Sequence, residues 1–188
     1  MKKITFISLL LLTLAFNVIA QQTTVTEKYG KTINAGVGLG YFGYVGYNIP
    51  VFHINYEFEL DENLTIAPFV TLYTYHNNYY YWGDNYHTYR NYSYTETVIP
   101  IGAKVTYYFD ELFKAKSKWD FYLAGSLGFI IRKTVWETDY YGRKVVNPGT
   151  GPLYIDFHAG SEYHLSKKTG LFLDLSTGFS TFGVAFHL

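Results

Sequence analysis

The sequence predicts an all-β protein: an eight-stranded antiparallel up-and-down transmembrane β-barrel that follows an N-terminal signal peptide. Three observations support this prediction. Eight segments alternate between apolar and small or polar residues with the two-residue period of a β-strand. The 188 residues include 21 tyrosines and 15 phenylalanines but only 16% charged residues, well below the roughly 25% of ordinary soluble domains. Beyond the N-terminal segment, no stretch has the length and apolar character of a transmembrane helix.

The first 20 residues have the three parts of a secretory signal. A basic start precedes an apolar run over residues 4–16, and small residues at 18–20 form a cleavage site. Residues 21–30 follow as a short polar leader, and residues 31–188 form the predicted barrel. An exported chain of this kind has to enter a membrane through strands. We therefore expect the bacterial outer membrane as its location.

Charge and cysteine content exclude several classes of function. The formal net charge is zero, so no nucleic-acid partner is expected. The chain has no cysteine, which excludes a disulfide framework, a thiolate metal site and a lipid anchor on cysteine.

Most of the predicted strands are about 8–12 residues long, the length that a tilted membrane strand needs. The segments span residues 31–41, 52–60, 64–73, 96–109, 121–132, 153–164, 171–176 and 181–188.

The first four segments show the alternation despite two prolines. In the first, Val37 and Leu39 share a face while the intervening glycines share the other. A polar turn at 61–63 separates the second and third segments. Pro68 and Pro100 lie inside the third and fourth segments, and each removes a donor from the ladder. We expect a bulge or a strand boundary at each proline.

The last four segments repeat the pattern with shorter turns. Leu127 and Phe129 of the fifth alternate with Ser126. Short turns at 166–170 and 177–179 connect the sixth, seventh and eighth segments. Longer and shorter connections thus roughly alternate, as external loops and internal turns do in outer-membrane barrels.

Residues 76–95 interrupt the alternation and predict one long Tyr/Asn-rich loop; a second long loop is expected at 138–152. Aromatic rings in such a loop could stack on an extracellular glycan or contact a protein partner. Alternatively, they lie in the outer headgroup region. The contact candidates are Tyr79, Tyr80, Tyr81, Trp82, Tyr86, Tyr89 and Tyr92.

The polar face of the strands mixes small residues with a few ionisable groups of both signs, which fits a narrow, filled interior. Lys104 and Arg132 are expected to pair there with acidic residues, because buried charges must be paired. The predicted interior network comprises Glu57, Lys104, Arg132, Asp156, His158, Glu162, His164 and Asp174, with Glu57, Asp156, Glu162 and Asp174 as the acids. Because side chains fill the interior of an eight-stranded barrel, we expect no open diffusion pore.

Aromatic residues near strand ends predict a girdle at the membrane surface. Its members are Tyr41, Tyr44, Tyr107, Tyr108, Trp119, Trp136 and Tyr163. In the alternative of a secreted, soluble lipocalin-like barrel that binds a small ligand, the apolar face would point inward.

The sequence indicates no catalytic, cofactor or metal site. His158 and His164 lie six residues apart on one strand, about 20 Å, too far to share an ion. Ser126 has no evident histidine and acid partners. We therefore expect a structural or surface-interaction protein rather than an enzyme. A lipid-A- or phospholipid-modifying barrel enzyme is the alternative.

Three stretches, residues 162–165, 167–175 and 182–188, resemble the closing hairpin of small outer-membrane barrels of the OmpA/OmpX-like superfamily, especially those of Bacteroidetes. Residues 119–128 are similar to their central strands. The last eight residues resemble the assembly signal of such proteins through Thr181, Gly183, Phe186 and Leu188, with leucine in place of the usual terminal phenylalanine. The resemblance implies outer-membrane lipids and the barrel-assembly machinery as partners.

Overall fold

The computed structural model describes residues 30–40, 50–82, 89–109, 118–136 and 151–188, with the backbone alone at 77, 79–82 and 89–92. The predicted signal peptide, the polar leader, Tyr41, Tyr44, Tyr86 and most of the second predicted loop lie outside these residues. The strands are β1 (Lys31–Gly40), β2 (Pro50–Asp61), β3 (Leu64–Trp82), β4 (Tyr89–Tyr108), β5 (Trp119–Trp136), β6 (Leu153–His164), β7 (Thr169–Ser176) and β8 (Phe179–His187).

The eight strands form a closed antiparallel barrel in which each strand pairs with its sequence neighbours and β1 pairs with β8. The predicted fold class is therefore confirmed. One end of the barrel, called here the termini end, carries the start of β1, the end of β8 and the β2–β3, β4–β5 and β6–β7 connections. The opposite end carries the other four connections.

Large apolar side chains cover the outside of the barrel. Leu127, Phe129 and Phe157 are 60%, 64% and 66% exposed, and every strand contributes at least two exposed apolar side chains. The alternate residues point inward and include buried charged groups. Soluble monomers rarely expose a contiguous apolar patch larger than a few hundred Å². A belt around all eight strands is instead the surface of a membrane barrel.

The β1–β8 seam closes at a pair of glycines. Gly36 lies directly opposite Gly183 in the ladder. A β-carbon on Gly183 would collide with the backbone of Ala35 and Gly36, so the two strands approach here as only glycine permits. The closing strand also ends in a hydrogen bond from the Leu188 amide to the Lys31 carbonyl (2.9 Å).

The two prolines do not break their strands, so the predicted bulge or boundary at each is wrong. Pro100 pairs with Ile130 of β5, and Pro68 pairs with Ala103 of β4. The register is the same on both sides of each proline. A strand residue directs its amide toward one neighbouring strand only, so a missing amide weakens one side of the ladder and leaves the other side intact.

β3 and β4 continue far into the segment that the sequence predicted to be a loop. Pairing runs without interruption from Tyr73 opposite Val98 to Trp82 opposite Tyr89. Among the described residues, 79–82 and 89–92 pair only with each other, as a two-stranded ribbon at the opposite end. The prediction of one loop over 76–95 is therefore wrong. Tyrosine favours strands, and a ribbon outside the barrel does not need an apolar face.

Candidate functional site

A hydrogen-bonded chain of Ser126, His158 and Asp174 runs inside the barrel across the neighbouring strands β5, β6 and β7. Nδ1 of His158 donates to Oδ1 of Asp174 at 2.7 Å, since an ionised carboxylate only accepts. Nε2 of His158 is hydrogen-bonded to the Ser126 hydroxyl at 2.8 Å. The order serine–histidine–aspartate is that of a hydrolase triad. The expectation that Ser126 lacks such partners is therefore wrong.

Asp174 is the hub of this central cluster. Its Oδ2 accepts from Nζ of Lys104 (3.1 Å) and from the Tyr122 hydroxyl (3.0 Å). The Lys104 ammonium lies 5.3 Å from the centre of the Tyr122 ring. The side chains of Lys104 and Asp174 are only 6% and 5% exposed, so each charge depends on the other for compensation.

Access to the central cluster is closed. Ser126, His158 and Asp174 are all buried. The cavity beside Asp174, lined also by Lys104 and Glu57, measures about 10 Å³. That space holds at most one water molecule and no acyl substrate. Ser126, whose hydroxyl would attack a carbonyl, is itself buried and does not line this cavity.

An apolar layer closes the interior between the central cluster and the opposite end. The ring of Phe179 stacks on that of Tyr154 at 5.9 Å, and Phe69 meets Tyr154 edge-on at 5.7 Å. Val51 and Val98 complete the layer and are fully buried. Side chains therefore fill this cross-section of the barrel.

The other predicted interior residues have partners that differ in part from those expected. Arg132 pairs with Glu96 at 3.1 Å, and not with any of the four acids expected for it. Glu57 accepts from the Tyr108 hydroxyl (2.8 Å) and from the Asn34 amide (3.0 Å).

Asp156 accepts from the hydroxyl groups of Tyr154 and Thr177, each at 2.6 Å. The two hydroxyl donors thus come from the start of β6 and from the residue that follows β7.

Tyr108 is an interior residue, so its place in the predicted aromatic girdle is wrong. It is buried and bonded to Glu57, whereas its neighbour Tyr107 is exposed on the outside. Alternation forces adjacent residues to opposite faces, and only one of two consecutive tyrosines can face the membrane surface. Trp119 is exposed and lies 4.9 Å from Tyr163 at the termini end.

A second histidine cluster lies at the termini end. His187 Nε2 lies 2.8 Å from Glu162 Oε1, and His164 Nδ1 lies 3.8 Å from the same oxygen. His164 Nε2 donates to Oδ2 of Asp120 at 2.5 Å. Sequence reasoning missed His187 and Asp120 because only the register of β5 through β8 brings them beside β6.

The predicted contact and assembly residues occupy separate regions. Tyr79, Tyr80, Tyr81, Trp82, Tyr89 and Tyr92 belong to the ribbon. Within the last strand, Thr181 is buried inside the barrel, whereas Phe186 and Leu188 face outward.

No helix among the residues that the structure describes is long and apolar enough to cross a membrane.

Neither family models nor curated protein sequences give a match to this chain. Solved structures do give matches to this chain. Neisserial surface protein A is 14% identical, with a TM-score of 0.51 over 84% of this chain and 96% of that one. The chain has the fold of the eight-stranded outer-membrane barrels. The outer membrane protein W of E. coli is 10% identical, with a TM-score of 0.48 over 87% of this chain and 100% of that one.

Proposed function

We propose that the protein is an integral barrel of the bacterial outer membrane with a structural and surface-interaction role. The observation that carries this proposal is an arrangement opposite to that of a soluble protein: an apolar exterior surrounds an interior of charged side chains that are hydrogen-bonded or paired. The same arrangement argues against a secreted lipocalin-like barrel, whose ligand would need an apolar cavity. Export by residues 1–20 and assembly through the strand that ends at Leu188 belong to the proposal.

Fractionation and heat modifiability test the membrane part. We expect the protein in the outer-membrane fraction, with unheated samples migrating differently from boiled ones on a denaturing gel, because the closed barrel resists detergent. A soluble protein without a heat-dependent shift would contradict the proposal.

The β3–β4 ribbon is the proposed contact surface for an extracellular glycan or protein. A membrane strand needs about 9–11 residues, and β3 and β4 have 19 and 20. The additional residues extend about 30 Å along each strand at about 3.3 Å per residue. They include most of the aromatic residues that the sequence singled out, and a strand pair holds such residues in fixed order better than a loop.

A shortened ribbon tests the contact role without disturbing the barrel. Tyr79 lies opposite Tyr92, so replacing residues 80–91 by Asn-Gly leaves a hairpin closed by a two-residue turn. We expect normal heat modifiability together with a loss of cell adhesion or of glycan-array binding. Unchanged binding by the shortened protein would rule out the ribbon.

A lipid-modifying enzyme is the second candidate, and the Ser126–His158–Asp174 order is the observation in its favour. The burial of all three residues and the small volume of the cavity beside Asp174 weigh against it. Mass spectrometry of lipid A from cells with the wild-type protein, with Ser126→Ala and without the protein separates the candidates. An acyl change that requires Ser126 would establish the enzyme.

A further inference from the structure

The termini end contains three groups with the composition of a transition-metal site. One ligand atom each from Glu162, His164 and His187 lies within 4.8 Å of the other two. Glu162 and His164 lie on β6, and His187 lies at the end of β8. We propose that Glu162, His164 and His187 bind a divalent transition-metal ion of the zinc class at the termini end of the barrel.

The distances between the ligand atoms are close to those around a tetrahedral zinc ion. Zinc binds nitrogen and carboxylate oxygen at about 2.0–2.2 Å, so ligand atoms of a tetrahedral ion are about 3.4 Å apart. Glu162 Oε1 lies 2.8 Å from Nε2 of His187 and 3.8 Å from Nδ1 of His164. Side-chain movements of less than about 1 Å would bring the two atoms of each pair to that separation.

In each histidine, the ring nitrogen that faces away from Glu162 already has a hydrogen-bond partner, as in metal-binding histidines. His164 Nε2 donates to Asp120, which turns Nδ1 toward Glu162. His187 Nδ1 lies 2.9 Å from Oγ1 of Thr32, which turns Nε2 toward Glu162. A carboxylate or hydroxyl behind each imidazole fixes ring orientation and makes the ligand nitrogen more basic. The Thr32 hydroxyl both donates and accepts, so it can bond His187 in either tautomer.

Gly170 makes room for the carboxylate. Glu162 on β6 has to pass over β7 to reach His187 on β8, and it does so directly above Gly170 of β7. A β-carbon at Gly170 would collide with the Glu162 carboxylate. This glycine therefore lets one carboxylate serve histidines on two strands.

The site is accessible, unlike the central cluster. The side chains of His164 and His187 are 26% and 16% exposed, whereas that of Glu162 is 7% exposed. Three protein ligands with partial access to water leave a fourth position for a water molecule or a further ligand, as in open zinc sites.

Equilibrium dialysis of the refolded, tag-free protein against zinc chloride tests the proposal. We expect one zinc ion per chain in the wild type. Glu162→Gln, His164→Gln and His187→Gln should each weaken binding at least 10-fold, and Asp120→Asn and Thr32→Val by about 10–100-fold through the supporting contacts. The matched control His76→Gln, on the opposite half of β3, should bind zinc like the wild type.

Two further measurements keep the test decisive if a ligand variant folds poorly. Gly170→Ala displaces the side chain of Glu162, the nearest group to the added carbon, and not the backbone, so we expect normal heat modifiability and weakened zinc binding. Cobalt(II) bound to the wild type should give the visible absorption of a low-coordinate nitrogen and oxygen site. If the wild type binds no zinc, or if the His187→Gln variant binds it equally well, the three groups form a hydrogen-bonded cluster only and the proposal is wrong.

Discussion

The barrel contains two histidine–carboxylate clusters of similar chemistry, and they differ in access. In the central cluster, His158 bonds Asp174 at 2.7 Å and its side chain is 3% exposed. At the termini end, His164 bonds Asp120 at 2.5 Å and its side chain is 26% exposed. The central groups are buried and bonded to one another, whereas the terminal groups are partly exposed and can exchange a partner for a ligand. Access, rather than residue type, therefore separates a structural cluster from a candidate binding site.

The largest effect is expected when the central charge pair is broken. Lys104→Met leaves Asp174 buried without its cation and should lower the free energy of unfolding by about 3–5 kcal/mol. Lys167→Met, in the exposed turn between β6 and β7, is the control and should change it by less than about 0.5 kcal/mol. Urea titrations of the barrel in lipid vesicles measure both. Equal stability of the two variants would show that the interior pair is not needed.

The same substitution at the two clusters compares them directly. His158→Leu removes the partner of two buried groups, Ser126 and Asp174, and should cost about 1–3 kcal/mol. His164→Leu in metal-free protein should cost less than about 1 kcal/mol, because water replaces the lost contact with Asp120. A larger loss at His164 than at His158 would reverse the comparison.

Within the central cluster, the smallest effect is expected at Ser126. Ser126→Ala removes one interior hydrogen bond and should cost about 1 kcal/mol. A fluorophosphonate probe, which reacts with activated serines, should leave the folded wild type unlabelled because the hydroxyl is sealed in the barrel. Labelling that disappears in Ser126→Ala would show that the central cluster is open and favour the enzyme.

The strand faces could be predicted from the sequence, because alternation alone decides which residues share a face. The partners across the barrel could not, because they depend on register. Arg132 meets Glu96 only because Val98 lies opposite Arg132 in the β4–β5 ladder. His187 meets Glu162 only because the register of β6, β7 and β8 places Gly170 between them. The ribbon was missed for a different reason: its strands lack the apolar face by which the other strands were found.

Spin-label accessibility tests the central claim, an apolar exterior in lipid around a sealed polar interior, most directly. The chain has no cysteine, so Leu127→Cys and its neighbour Ser126→Cys each provide one labelling site. Leu127 is 60% exposed and Ser126 is 5% exposed. In vesicles, the label at 127 should collide with oxygen, which dissolves in lipid, far more than with a water-soluble nickel chelate, and position 126 should resist labelling. A label at 127 that favours the nickel chelate would place this face in water and contradict the account.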